Sequence, residues 1–105
     1  MNARALNALG MCMRAGRLAS GEQACLNAIR RGTACLVLVD EGASQNTRKM
    51  FADSCAYYGV PLMTAPADSL GAAIGRPGRM TVAVTDEGFA ARIRQLAGQE
   101  TQKQE

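Results

Sequence analysis

The chain has no histidine and no tryptophan, only two phenylalanines and two tyrosines, and no Cys-x-x-Cys pair among its four cysteines. Without histidine, the commonest general base and the commonest zinc ligand are missing, and so is any Ser–His or Cys–His dyad. Cys12, Cys25, Cys35 and Cys55 lie far apart, each inside an apolar stripe, and are expected as buried free thiols. Long apolar runs are missing too. The longest, Ala34 to Val39, falls far short of the roughly 20 residues a membrane helix needs, and the N-terminus carries no signal-peptide core. A cytoplasmic, non-catalytic protein without a cofactor or a membrane association is expected.

What the sequence does contain fits one compact domain. Its 105 residues can close an apolar core without disulfides or metals, and 48% apolar against 20% charged residues is a globular composition. The net charge of +3 is unevenly placed: Met1 to Gly32 holds Arg4, Arg14, Arg17, Arg30 and Arg31 against Glu22 alone. Such a cluster attracts polyanions or simply solvates a surface, and composition leaves both readings open.

Periodicity gives the element order. Leu6, Leu9 and Met13 form a helical stripe over Asn2–Met13. After a short extended stretch, Ser20 and Gln23 have capping-box spacing, which starts a second helix that buries Cys25 and Ile29 and closes at Gly32. Cys35 to Val39 reads as a central strand covered on both faces. Ser44 caps a third helix with the stripe Phe51, Cys55 and Tyr58, an outer Lys49–Asp53 pair, and Gly59 at its end. A strand at Val60–Thr64, a short helix at Asp68–Ile74, a loop Arg76-Pro77-Gly78-Arg79 and a strand at Met80–Thr85 follow. Asp86 caps the last helix, with the stripe Phe89, Ile93 and Leu96. Residues 1–97 are expected as one α/β domain, a sandwich with helices on both faces of a small sheet, and 98–105 as a disordered polar tail.

Three places carry candidate chemistry. The start of the second helix presents unpaired amides and a partial positive charge, with Arg14 and Arg17 expected to flank it. Gln23, Asn27, Arg30 and Arg31, at i, i+4, i+7 and i+8, project from one side of that helix. Amide side chains suit base edges and guanidiniums suit phosphates, although the same pattern also describes a solvated helix face. Arg76 to Arg79 is a second anion contact or an ordinary turn. Asp40 with Glu41 at a strand's end invites a metal or general acid, but no third ligand accompanies them and loop solvation is the simpler reading.

Six strings in order, RAGRLASGE, NAIRRG, LVLVDEGASQNTRK, CAYYGVP, SLGAAIG and VAVTDEGFA, resemble the bacterial YlxQ-type branch of the superfamily typified by ribosomal proteins L-seven-Ae and L-thirty-e. The resemblance spans Ala5 to about Leu96. It implies a three-layer α/β/α sandwich with a four-stranded mixed sheet, in which Arg17 to Ala19 is the first strand. It also implies binding of structured, kink-turn-like RNA, in a ribosomal or translational setting, by a monomer without cofactor, with ribosomal or translation-factor proteins as further partners. Kink-turn binders of this family carry a Gly-x-Asn-Glu-x-x-Lys pattern at the start of the second helix. Here Gly21 keeps the glycine, Gln23 replaces the asparagine, Ala24 the glutamate and Asn27 the lysine. The resemblance points to Gly21, Gln23 and Asn27 and to the loop Arg76, Pro77, Gly78, Arg79 and Met80 as RNA contacts, and the charge pattern adds Arg14, Arg17, Arg30 and Arg31 as expected phosphate contacts. Gly42 stands where relatives commonly carry an acidic residue. The rival reading is a protein-interaction module that has lost RNA specificity.

Overall fold

The computed structural model describes residues 1–103, with side chains described through residue 98. Five helices and four strands alternate: α1 Ala3–Arg14, β1 Leu18–Ser20, α2 Glu22–Arg31, β2 Leu36–Asp40, α3 Gln45–Tyr58, β3 Leu62–Ala65, α4 Ser69–Ile74, β4 Thr81–Val84 and α5 Glu87–Lys103. The sheet order is β1-β4-β2-β3, with β2 parallel to β3 and β4 antiparallel to both β1 and β2. This is the mixed four-stranded sheet expected.

The alternation of β2 makes the three layers. Leu36 and Leu38 face a core built with α1, α4 and α5, while Val37 and Val39 face a second core built with α2 and α3. Both inner strands are therefore buried along their whole length, which is why their sequences read as unbroken apolar runs. Burying Leu9, Leu36, Leu38, Leu70, Ile93 and Val82 on one side, and Ile29, Phe51, Val37 and Val39 on the other, supplies the main favourable term.

Several expectations are met at atomic detail. Ser44 Oγ accepts from Thr47 N at 3.1 Å, Asp86 Oδ2 accepts from Phe89 N at 2.9 Å, and Lys49 pairs with Asp53 at 3.2 Å. Gly32 and Gly59 close α2 and α3 in the left-handed conformation. Strand limits move by one or two residues, because Val60 N donates to Cys55 O as part of the α3 cap and does not enter the ladder.

Other expectations are corrected. Ser20 does not cap α2: it ends β1 opposite Val82, and Gly21 takes the cap position with no capping side chain. Tyr58 is 47% exposed, since α3 lies on the sheet only through Phe51 and Cys55 near its middle. Asp40 is not a solvated loop acid. It is fully buried, and its Oδ1 accepts from Gly42 N at 2.7 Å and Asp68 N at 3.0 Å. Gly98 lies inside α5 and does not end it. The remainder of the expected tail lies outside the residues with described side chains.

The thiols are all free, and Cys35 alone is partly exposed. Burial raises the Cys12 and Cys25 thiols from the usual 9.0 to about 11, with Asp86 adding to the effect at Cys12. Folding thus favours the neutral thiol. Its contribution to stability is intact below pH 9 and is lost as pH rises toward 11. At pH 8, a disulfide reagent is expected to modify Cys35 quickly and all four thiols only after denaturation, and thermal melts should fall in temperature between pH 9 and 11. Rapid modification of more than one thiol in the folded protein contradicts this packing.

Candidate nucleic-acid interface

The C-terminal edge of β2 and β3, the start of β4 and the start of α2 lie at one end of the sheet. Gly21 N donates to Thr81 O at 3.0 Å, Asp40 N donates to Met80 O at 2.8 Å, and Glu41 N donates to Ala65 O at 2.8 Å. A cavity of about 300 Å³ opens there between three chain segments: Gly21 and Glu22 of α2, Gly42 to Ser44 with Thr47 at the start of α3, and Gly78 to Thr81 entering β4.

The first and third of these segments meet through the Gly21–Thr81 backbone bond, and the Arg79 side chain lies over Gly21. The φ of Gly21 is +95°, a conformation open to glycine, and a Cβ placed there would lie 2.7 Å from Arg79 Nη1. The Arg79 guanidinium therefore sits against the bare backbone at the mouth of α2, where the helix's positive end already favours anions. Among the described residues Arg79 has no ion pair with an acidic side chain, so its charge is available to a ligand.

The loop that carries Arg79 is a tight turn. Arg79 N donates to Arg76 O at 3.3 Å, with Pro77 and then Gly78, at φ +88°, between them, as a type II turn requires. The turn is seated on α4 through Gly71, where a Cβ would come within 2.8 Å of Arg76 O, 3.1 Å of Gly78 N and 3.3 Å of Pro77 Cα.

Asp40 holds the opposite wall. By accepting from Gly42 and Asp68 it ties the β2–α3 and β3–α4 loops to one carboxylate oxygen, while its Oδ2 is buried with no partner. No group of three or more histidine, cysteine or acidic side chains suited to a metal occurs among the described residues.

The expected site residues divide into two sets. Gly21, Gly78, Arg79 and Met80 line the cavity, and Arg76 and Pro77 belong to the same turn. Gln23 and Asn27 lie on the outer side of α2 and bond to each other, Gln23 Nε2 donating to Asn27 Oδ1 at 3.1 Å. Arg30 and Arg31 lie in the last turn of α2, about 12 Å further along the helix from Gln23 at 1.5 Å rise per residue.

Arg17 does not flank the mouth of α2. Its carbonyl accepts from Thr85 N, past the far end of β4, so the length of β1 separates it from Gly21. Arg14 ends α1 in the other helical layer, its guanidinium close to Gly10 where α1 meets α4.

Sequence reasoning missed Glu22, Gly42, Ala43, Ser44, Thr47 and Thr81 as cavity residues, and Gly71 as the seat of the turn. The usable signal was that Gly21 and Ser44 both start helices next to strand ends that topology brings to one edge. A larger cavity, of about 440 Å³, lies at the far end near Gly32, Cys35 and Tyr58. Its charged side chains are Glu87 and Arg94, one of each sign, so nothing there selects a polyanion.

Residues 3–93 match the family model described as the ribosomal protein L7Ae/L30e/S12e/Gadd45 family, and the chain belongs to that family. Two relatives carry the name RNA-binding protein YlxQ. The one from Bacillus subtilis (strain 168) is 44% identical over 86 residues, spanning 81% of this chain and 86% of its own. The one from Enterococcus faecium is 36% identical over 94 residues, spanning 89% and 90%. A solved structure of a protein of unknown function from Bacillus halodurans superposes with a TM-score of 0.86 at 32% identity, covering 90% of this chain and 97% of that one. A Giardia lamblia 15.5kD RNA binding protein shares the fold, with a TM-score of 0.76 at 18% identity over 94% and 89%.

The seating of the arginine turn is open to direct test. Gly71→Ala is expected to push the Arg76–Arg79 turn off α4 and to destabilise the protein by about 1–3 kcal/mol, the usual cost of overpacking. Gly98→Ala, inside α5 where nothing lies within 4 Å, should be neutral or stabilise by up to about 1 kcal/mol. Equal melting temperatures for the two variants contradict the packing described.

Proposed function

We propose that the protein is a non-catalytic RNA-binding protein that recognises structured, kink-turn-like RNA as an accessory to the ribosome or to translation, acting as a monomer in the cytoplasm and without a cofactor. The observation that carries this reading is the approach of Arg79 to Gly21, which places an exposed guanidinium at an uncapped helix mouth beside a cavity. Membership of the family and the printed names of the YlxQ relatives support RNA as the ligand.

In this reading Arg79, with Arg76 beside it, grips phosphates as a bidentate donor, and the α2 amides face the same strand. Gly78 keeps the backbone close to the RNA and Met80 supplies an apolar wall. The bonded pair Gln23–Asn27 presents its remaining donors and acceptors to base edges, and Arg30 and Arg31 follow a phosphate backbone along α2. Arg14 and Arg17 are too far from the mouth for the same contact and would meet only a flanking stem.

The second reading, a protein-docking module, draws on one observation: Gln23 and Asn27 satisfy each other across positions where kink-turn binders present asparagine and lysine. Gel shifts against a kink-turn RNA and an unkinked duplex at two salt concentrations separate the readings. The kink-turn is expected to bind at least about tenfold more tightly, and Arg79→Ala to reduce the salt slope by about one. Equal, weak binding of both RNAs removes the specific claim. Recovery of the same proteins from lysate with and without nuclease then favours docking.

A further inference from the structure

The sheet ends on an open edge. β3 is the last strand in the order, and no strand pairs with its outer side among the described residues. Pro61 O accepts from Val37 N at 2.9 Å and Ala65 O accepts from Glu41 N at 2.8 Å, so Pro61, Met63 and Ala65 turn their peptide groups toward β2. Leu62 and Thr64, which alternate with them, direct N–H and C=O outward, where β2 does not use them. Pro61 and Pro66 bracket the four residues of β3 and bring no donor of their own, so the edge has room for one short strand.

A groove runs beside that edge. By register Leu62 and Thr64 lie on the same face as their partners Val37 and Val39, the face that α2 and α3 pack against. α3 meets the sheet through Phe51 and Cys55 and leaves Leu62 37% exposed. Between helix and strand lies a cavity of about 310 Å³, lined by Val39, Ala52, Leu62 and Thr64 with Arg48 and Lys49 at its rim. The two cations are its only charged lining groups. Lys49 pairs with Asp53 in an exposed i,i+4 pair that holds it weakly, and Arg48 makes no ion pair among the described residues. The groove shares no lining residue with the Arg79 cavity.

These features select among occupants. A peptide carries amides and carbonyls that alternate at strand spacing and adds to a sheet edge through them, whereas an RNA strand has no such ladder. A second copy of this chain would offer its own β3, Leu-Met-Thr-Ala, which brings no acid to Arg48. We propose that the outer edge of β3 is a docking surface for an extended, acidic segment of a partner protein. The segment adds as a fifth strand, its backbone bonding to Leu62 and Thr64. Its side chains on the α3 side fill the groove over Val39, Ala52 and Leu62 and place a carboxylate against Arg48 and Lys49.

The test titrates the full chain, labelled with nitrogen-15, with the capped peptide Thr-Ile-Thr-Glu-Thr-Ile-Thr, whose isoleucines and glutamate share one face, and with the same peptide carrying lysine for glutamate. The Leu62 and Thr64 amides are expected to shift most, and the lysine peptide to bind about fivefold more weakly. Reversing both cations, Arg48→Glu with Lys49→Glu, should invert that preference. Two further peptides are N-methylated on alternate residues, one on isoleucine and glutamate and one on threonine. Only one of these sets of N–H groups faces β3, so one peptide should lose binding and the other keep it. Thr64→Pro removes an outward N–H and no bond to β2, and should weaken the glutamate peptide about tenfold with a native circular dichroism spectrum; if it unfolds the chain, the methylated pair still decides. No saturable shift at millimolar peptide, equal binding of both methylated peptides, or shifts centred away from Leu62 and Thr64 overturns the proposal. So does self-association through these two amides before peptide is added, which assigns the edge to a second copy, or displacement of the peptide by duplex RNA, which assigns the groove to nucleic acid. The gel shifts report on the Arg79 cavity separately, so either surface can fail alone.

Discussion

The site depends on one backbone conformation, the φ of +95° that Gly21 adopts where β1 passes into α2. That turn brings Gly21 N onto Thr81 O at 3.0 Å, so two segments far apart in sequence share one surface, with the Arg79 side chain lying over Gly21. The same residue starts α2 without a capping side chain, so the helix mouth is both uncapped and backed by a guanidinium. Gly71 acts one layer away, where its missing Cβ lets the arginine turn lie directly on α4. Gly71 thus sets the distance between α4 and the turn, and Gly21 the path of the chain from β1 into α2.

Charge and burial act on the same geometry from beneath. Asp40 is buried at the end of β2 and spends one oxygen on two loop amides, fixing the wall that faces Arg79. Gly42 is confined by that oxygen, since a Cβ there would lie 3.1 Å from Asp40 Oδ1. Beside it, Ser44 Oγ donates to Thr47 Oγ1 and Thr47 Oγ1 to Glu22 Oε2, at 3.0 and 3.4 Å. The cavity is therefore lined by one basic and one acidic side chain, Arg79 and Glu22.

Much of the architecture was legible in the sequence because it follows from periodicity. The apolar run at Leu36–Val39, the Ser44 and Asp86 caps and the closing glycines Gly32 and Gly59 each have one local solution, and each formed as expected. The α2 cap failed for a tertiary reason: Ser20 was already committed to its partner Val82, which no local pattern records. Arg17 was misplaced for the same reason. Three residues of β1 carry the chain along the edge of the sheet, so Arg17 and Gly21 lie at its opposite ends. Asp40 looked like a surface acid because a single sequence cannot show that two loops close over it. The contacts of Gly21 and Gly71 with the arginine turn were invisible for the related reason that a glycine's partner is decided by packing and not by composition.

The most direct test of this account is an amide-resolved NMR titration of the folded protein with a kink-turn RNA. Perturbations are predicted to concentrate on Gly21 to Ala24, Gly42 to Ser44 and Gly78 to Thr81, the three segments around the cavity. Thr33, Cys35 and Thr85, at the other edge of the sheet, should stay near their free positions. Perturbations centred on that far edge, with Gly21 and Arg79 unmoved, would contradict the placement of the interface.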